Sequence, residues 1–313
     1  MESNTEKNFD FPPLERKKRK DAPYVKIVLI LVLFLLCGYL GYWLAQAFLD
    51  PLVPVTNDPD IDPAYVSSNV LNILLMGIDQ RENEPARADT IILASIDLRN
   101  KEVYLLSIPR DTRVEIPGKG ISRKINYAHA VGGTELAVQT VEKFLNVPVH
   151  YYIETNFEGF AKCIDILGGI TINVEEKMYF PEENIDLKAG LQKLDGADAL
   201  SYVRWRSDGR GDIGRIERQQ KFFKALTDQA MRLSTVWKLP ELLNELNTQV
   251  QTDMKVSKML ALAGKFRDLE GMKLTTEMAP GVPDDINYGG SYWIADQDKL
   301  DKMLKNVYAD GNN

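Results

Sequence analysis

The chain has 313 residues, 44% hydrophobic and 27% charged, enough apolar material for one large globular domain or two small ones. Its formal net charge is -7; residues 1–49 hold seven basic and five acidic side chains, leaving 31 basic against 40 acidic in 50–313, a net of -9. That balance excludes a general polyanion binder, so no nucleic acid is expected as a partner. The few thiols and imidazoles (Cys37, Cys163, His129, His150) predict neither a disulfide nor a cysteine-based metal site.

In chain order, residues 1–23 are polar and proline-containing and read as a disordered cytoplasmic tail. Residues 24–49 follow as a membrane anchor. From Ile27 to Leu49 the chain runs 23 residues without a charged side chain, a helix of about 35 Å against a hydrocarbon core of about 30 Å. Arg16 to Lys20 precede it, so the positive-inside rule keeps the N-terminus cytoplasmic and places everything after Leu49 outside. The bulky exit "AFLDPLVPV" argues against a cleaved signal peptide. Residues 50–68, rich in proline and aspartate, read as a juxtamembrane linker, and 69–313 as the folded extracytoplasmic domain.

Within that domain, Val70–Gly77, Thr90–Asp97 and Val103–Pro109 are apolar, β-branched runs of strand length. A helix over Gly133–Asn146, the strand "HYYIETN", the helix "FEGFAKCIDILGG" and the strand "ITINVEE" come next. Helical patterns follow at Asp195–Arg204, Ile213–Ser234, Pro240–Leu246 and Val256–Phe266. A strand near Met272–Met278, another at Tyr292–Ile294 and a helix near Gln297–Tyr308 close the domain. Apolar strands interleaved with helices predict an α/β fold, a three-layer αβα domain around a central mixed sheet.

Four stretches put charge where such a sheet places its ligand, at strand ends and the loops beyond. "MGIDQR" puts Asp79 and Arg81 at a strand exit, and "ARADT" puts Arg87 and Asp89 at the next strand's entry. If these segments are antiparallel neighbours, the two aspartates converge and suit magnesium, which takes few protein ligands. Spacing alone favours the plainer alternative, in which each aspartate caps a turn or pairs with the arginine beside it. "SIPRDTR" ends a strand in Arg110-Asp111, and "SRKINYAHAVGG" supplies Lys124 and Asn126 ahead of a glycine pair, a weak phosphate signal. Finally, "RWRSDGRGDIGRIERQQ" packs five arginines and no lysine into an acidic domain. With Asp212 as N-cap of a helix from Ile213, Ile216, Phe223, Leu226, Ala230 and Leu233 form one stripe. Gln219 and Arg215 fall within that stripe and Arg218 at its edge. Inward arginines need an anion, either protein carboxylates such as Asp208, Asp212 and Glu217 or a bound ligand. The absence of lysine favours bidentate phosphate binding.

Taken in order, "NILLMGIDQR", "RADTIILASID", "LLSIPRDT", "KINYAHAVGG", "YYIETNFEGFAKCIDILGGITINV", "LKAGLQKLDGADALSYVRWR" and "GDIGRIERQQKF" make the chain resemble the LytR-CpsA-Psr family of cell-wall polymer ligases. The resemblance spans Asn69 to Met231. It implies a membrane-bound phosphotransferase on the outer face of a Gram-positive bacterium. Such an enzyme moves a glycopolymer (teichoic acid, capsule or similar) from a polyprenyl-pyrophosphate carrier in membrane lipid to a peptidoglycan hydroxyl. By the same resemblance Asp79 and Asp89 hold Mg2+, with Mn2+ as the alternative ion. Arg81, Arg110, Arg204, Arg206, Arg215, Arg218 and Gln219 grip the pyrophosphate. Arg110, Asp89, Arg206, Arg215 and Arg218 are its catalytic set, Asp111 orients Arg110 or acts as base, and Arg210 sits in a variable loop. Two rival readings are a polyprenyl-pyrophosphate hydrolase using water as acceptor and a membrane-anchored regulator or attenuator of transcription. The expected topology places the folded domain across the membrane from DNA and so speaks against the regulator.

Overall fold

The computed structural model describes residues 65, 69–79, 85–97, 99–205, 211–230, 250–267, 273–285, 287–288 and 290–309. The expected tail, anchor and nearly all of the linker lie outside the described residues, as do Arg81, Arg206, Arg210 and the expected helix at 240–246. Among the described residues no helix is long and apolar enough to cross a membrane.

The elements run β1 (Val70–Asp79), β2 (Arg87–Asp97), β3 (Glu102–Ser107), β4 (Arg113–Ile116), β5 (Ile121–Lys124), α1 (Asn126–Leu145), β6 (Tyr151–Asn156) and α2 (Phe157–Leu167). Then come β7 (Ile170–Val174), β8 (Met178–Phe180), β9 (Ile185–Leu187), β10 (Gly190–Leu194), α3 (Gly196–Arg204) and α4 (Gly211–Ala230). The described chain closes with β11 (Val250–Thr252), α5 (Val256–Arg267), β12 (Lys273–Met278), β13 (Gly281–Asp284), β14 (Tyr292–Ala295) and α6 (Gln297–Ala309).

Six strands form the central sheet in the order β11-β6-β1-β2-β3-β12. It is mixed, as expected: β1 runs parallel to β6 and β3 to β12, while β1–β2, β2–β3 and β6–β11 are antiparallel. Both faces of the sheet are served by β1, whose run is apolar apart from the buried Asn72. Leu74, Met76 and Ile78 enter a core that also holds Val141 and Leu145 of α1 and Leu300 and Leu304 of α6. Leu71 and Ile73 enter the opposite core with Leu262 of α5 and, at its margin, Phe223 of α4. Helices therefore cover both faces. A third cluster, including Ile164 of α2, Tyr202 of α3 and Phe222 of α4, fills the space beneath the β7–β10 strands.

Local chemistry sets the element ends. Asn156 caps α2 by accepting from Gly159 N at 2.8 Å, and Gly168 closes it at φ 86°. Asp195 caps α3 in the same manner, accepting from Asp198 N at 2.9 Å. Gly196 is required there because a Cβ would stand 2.1 Å from the Ala161 carbonyl oxygen of α2.

Three local readings need correction. The helix expected from Gly133 starts at Asn126, and Gly133 is instead a kink at φ 64° and ψ -160° within it. Tertiary contact explains the early start, since Asn126 N donates to Arg110 O at 3.3 Å. The arginine-bearing helix is described from Gly211 onward, so Asp212, expected just before it, falls within its span. Its most deeply buried arc is also wider than the expected stripe: Arg218, Gln219 and Phe222 are all buried. The helix packs into two clusters at once, Phe222 into one and Phe223 against the other.

Candidate functional site

A polar cleft of about 190 Å³ opens at the exit of β1, lined by Asp79, Arg87, Asp89, Arg110, Asp111, Lys124 and Asn126, with Pro85 at its edge. It is assembled by register. β1 and β2 pair antiparallel with Asp79 opposite Arg87 and Ile78 opposite Ala88, but Gly77 lies opposite Thr90. Asp89 is the residue left over, the extra member of a β-bulge. A bulge bends the strand and re-aims its side chains. The burial pattern bears this out: Ala88 joins the same core as Ile91 and Leu93, so the alternation of faces slips by one across Asp89 and Thr90. Without the slip, Ala88 would fall on the opposite face from Ile91.

Asp89 is held from two sides. Arg110 Nη1 donates to its Oδ2 at 2.7 Å, and Asn126 Nδ2 approaches its Oδ1 at 3.5 Å. Asp111 Oδ2 stands 3.8 Å from Arg110 Nε and its Oδ1 binds Lys124 Nζ at 2.7 Å. Asp111 thus lies beside Arg110 and lines the cleft itself. The lining alternates three carboxylates with three cations. Such an array can exchange its internal ion pairs for the oxygens of an anionic ligand or for a cation.

Donor chemistry can be tested for magnesium. Asp79 and Asp89 line one polar space, and among the described residues no group of three or more His, Cys, Asp or Glu forms a closed cage. Two carboxylates with space for water and phosphate oxygens fit Mg2+, and do not fit a structural zinc site.

The other sequence-derived residues divide. Gln219 reaches the same strand: its Nε2 donates to Thr90 Oγ1 at 3.3 Å, one residue beyond Asp89. Arg218, 3% exposed, donates from Nη2 to the Trp205 carbonyl and does not line the cleft. Arg204 pairs with Glu183 at 3.0 Å and lies 4.8 Å over the Phe157 ring, also away from the cleft lining. The side chain of Arg215 lies outside the described residues, as do Arg81 and Arg206. Arg87, Lys124 and Asn126 line the cleft without having been assigned a role; their position beside "ADT" and before the glycine pair was the available signal.

Behind Thr90 lies a second cavity of about 210 Å³, lined by Leu75, Phe157, Phe160, Phe222, Phe223 and other apolar groups. Thr90 and Gln219 lie on its wall, so charged cleft and apolar cavity meet at β2. Cys163 also lines it, and burial pushes its thiol up to about 11.

The histidines serve structure. His129 Nδ1 lies 2.9 Å from Ala86 O and Nε2 3.2 Å from Glu154 Oε2, which Thr134 Oγ1 also donates to at 2.6 Å. The Glu154 hydrogen bond raises the His129 pKa against the opposing effect of burial. This clamp ties α1 and β6 to the residue preceding Arg87. His150, pushed down to about 4 by burial, accepts from Asn72 N at 2.9 Å.

A charged cleft and an apolar cavity thus adjoin at β2 within a mixed α/β domain. The LytR_cpsA_psr family model matches residues 55–309, and the chain belongs to that family. It is 36% identical over 310 residues to the polyisoprenyl-teichoic acid–peptidoglycan teichoic acid transferase TagU of Oceanobacillus iheyensis, covering 94% of this chain and 95% of that one. Among solved structures, B. subtilis TagV superposes with a TM-score of 0.68 at 32% identity, covering 77% of this chain and 97% of its own. TagT bound to LIIa-WTA also superposes with a TM-score of 0.68, at 28% identity, covering 81% of this chain and 94% of its own.

Proposed function

We propose that this protein is a transferase that moves a glycopolymer of the teichoic acid class from a polyprenyl-pyrophosphate carrier to a peptidoglycan hydroxyl. The observation that carries the reading is the junction at β2, where the cleft of Asp79, Asp89 and Arg110 meets the apolar cavity at Thr90 and Gln219. A lipid pyrophosphate has the same two halves in the same order. The TagU relative, named for teichoic acid transfer to peptidoglycan, supports the polymer and acceptor classes.

On this reading the polyprenyl chain enters the cavity among Phe157, Phe160, Phe222 and Phe223, each buried CH2 contributing about 0.8 kcal/mol. The pyrophosphate lies in the cleft, where Arg110 turns donors from Asp89 toward it. Arg81, Arg206, Arg215 and Arg218 would add guanidinium donors to this grip, Arg218 by exchanging the Trp205 carbonyl for a phosphate oxygen. Asp79 and Asp89 would hold Mg2+, which when bound supplies neutralisation of phosphate charge. An acceptor hydroxyl oxygen bonds to the phosphorus that carries the glycopolymer. The bond from that phosphorus to the bridging oxygen breaks, polyprenyl phosphate leaves, and the hydroxyl proton passes to a cleft carboxylate. Such transfer asks the protein chiefly to position groups and stabilise charge. Residues 24–49 anchor the domain at the outer membrane face, within reach of both substrates.

The test uses the full-length protein in detergent with labelled lipid-linked polymer and peptidoglycan. Label should enter peptidoglycan, fall to background with a chelator and return with added Mg2+. Release of free polymer phosphate with no label in peptidoglycan would replace this reading with the hydrolase.

A further inference from the structure

A third cleft, of about 340 Å³, lies on the opposite side of the sheet from the apolar cavity, and the proposed chemistry has not used it. Its walls include Arg113, Glu115, Lys143, Phe144, Tyr288 and Ile294. Val114 and Phe144 belong to the core shared with α1 and α6, whereas Phe222 and Phe223 of the apolar cavity belong to the clusters of the other face. The charged cleft, at the end of β1, lies between the two.

A continuous set of contacts joins this third cleft to the charged one. Lys124, on the wall of the charged cleft, places Nζ 5.7 Å from the Tyr292 ring. Tyr292 meets Tyr288 edge to face, with centroids 6.0 Å apart, and Arg113 Cζ stands 4.2 Å over the Tyr288 ring. The backbone couples the two places as well. Trp293 N donates to Asp111 O at 2.9 Å, and Thr112 bridges to Trp293, so the β13–β14 hairpin is fastened to the segment that carries Arg110. Trp293 Nε1 donates to Ala279 O at 3.1 Å, which fixes the hairpin's base. Tyr288 nevertheless remains 46% exposed.

We infer that this aromatic and mixed-charge surface is a saccharide platform that holds the acceptor glycan strand. The inference rests on the proposed reaction for the identity of the acceptor. Three physical points favour a glycan. The exposed Tyr288 and the half-buried Tyr292 offer flat apolar rings with polar tips, matching the apolar faces and hydroxyl edges of pyranose rings. The flanking charges are mixed, with Glu115 paired to Lys143 at 3.0 Å, so the surface suits hydroxyls better than a polyanion or a lipid. Lastly, phosphoryl transfer runs with attacking and leaving oxygens roughly in line. The leaving lipid phosphate is drawn toward the apolar cavity, so the attacking hydroxyl must arrive from the side on which Tyr292 and Tyr288 stand.

The experiment compares Tyr288→Ala and Tyr288→Phe with the unaltered full-length protein in detergent. Titration with chitotetraose should show binding that weakens about tenfold or more in Tyr288→Ala, the loss expected for about 1.4 kcal/mol, and that survives in Tyr288→Phe. In the transfer assay the KM for the acceptor should rise similarly while the KM for the lipid-linked donor stays unchanged. Equal chitotetraose affinity in Tyr288→Ala, or no binding by the unaltered protein, overturns the platform. A rise in donor KM with acceptor KM unchanged assigns the surface to the donor's own sugars and overturns the acceptor assignment. Tyr288-dependent saccharide binding in a protein that transfers nothing supports the platform and refutes the proposed reaction instead.

Discussion

Arg110→Ala separates charge chemistry from folding. The substitution deletes a charge-assisted hydrogen bond of 2.7 Å to Asp89, between side chains 23% and 19% exposed. Hydrogen bonds to charged groups contribute about 1.5–3 kcal/mol, and partial exposure argues for the lower end. For a domain of this size each kcal/mol shifts the melting temperature by about 2–4 °C, so a fall of about 3–6 °C is expected. The effect on rate should be far larger. Removing one preorganised donor from a developing oxyanion costs about 2.7–4 kcal/mol, or about 10² to 10³ in kcat. Arg110→Lys retains the charge but loses the planar fork, so its rate should fall between the two proteins. The assay is initial-rate transfer at saturating donor and acceptor, paired with a thermal melt of each variant. A kcat for Arg110→Ala within threefold of the unaltered protein would refute the assigned site. A melting point lower by more than about 10 °C would show Arg110 to be structural first.

Two further outcomes test the frame around the site. Gly196→Ala must displace α2 from α3, because the new Cβ would lie 2.1 Å from the Ala161 carbonyl; a loss of about 1–3 kcal/mol in denaturant titration is expected, and none would contradict the close approach. The His129 clamp predicts a pH profile with two causes. His129 is raised above 6.5, chiefly by its Glu154 hydrogen bond, so its contribution is complete below 6.5 and fades as pH rises through the native value. Glu154 feels burial pushing upward, but the bonds from His129 and Thr134 outweigh it and hold it below 4.5, so its contribution is lost only as pH falls through that native value. His129→Gln should therefore flatten the decline in denaturant midpoint that the unaltered protein shows as pH rises above 6.5. An unchanged slope would mean the clamp does not titrate as described. His150, held near 4 by burial, acts oppositely and erodes stability as pH drops below 6.5.

How much of this was legible in the sequence differs by element. The strands at β1 and β2 read clearly because burial on both faces demands a largely apolar run, broken here only by polar residues such as Asn72 and Ser95. Gln219 read as inward because helical phase is local. Asp89 was noticed, but its placement depends on a bulge between partner strands, which no single strand encodes. Spacing alone favoured a turn cap for it, whereas it lies inside β2 and is gripped by Arg110, 21 positions along the chain. Arg218 was placed at the edge of the stripe because one stripe was drawn for a helix that packs into two clusters. The short β4–β5 hairpin and β13 escaped notice for a similar reason, although β14 was expected at Tyr292–Ile294. Strands of four residues carry little periodicity by which to stand apart from loops.

Cys163 turns the apolar cavity into something that can be watched. With Cys37 it is one of only two cysteines in the chain, and it lines the apolar cavity. Burial keeps it protonated at neutral pH, so every thiol reagent, charged or not, meets little thiolate and labelling is slow. A greasy, uncharged electrophile enters by the route a prenyl chain would take and competes with it for the same walls. The protein thus carries a native occupancy gauge, in which the rate of labelling at one sulfur counts how often the cavity stands open.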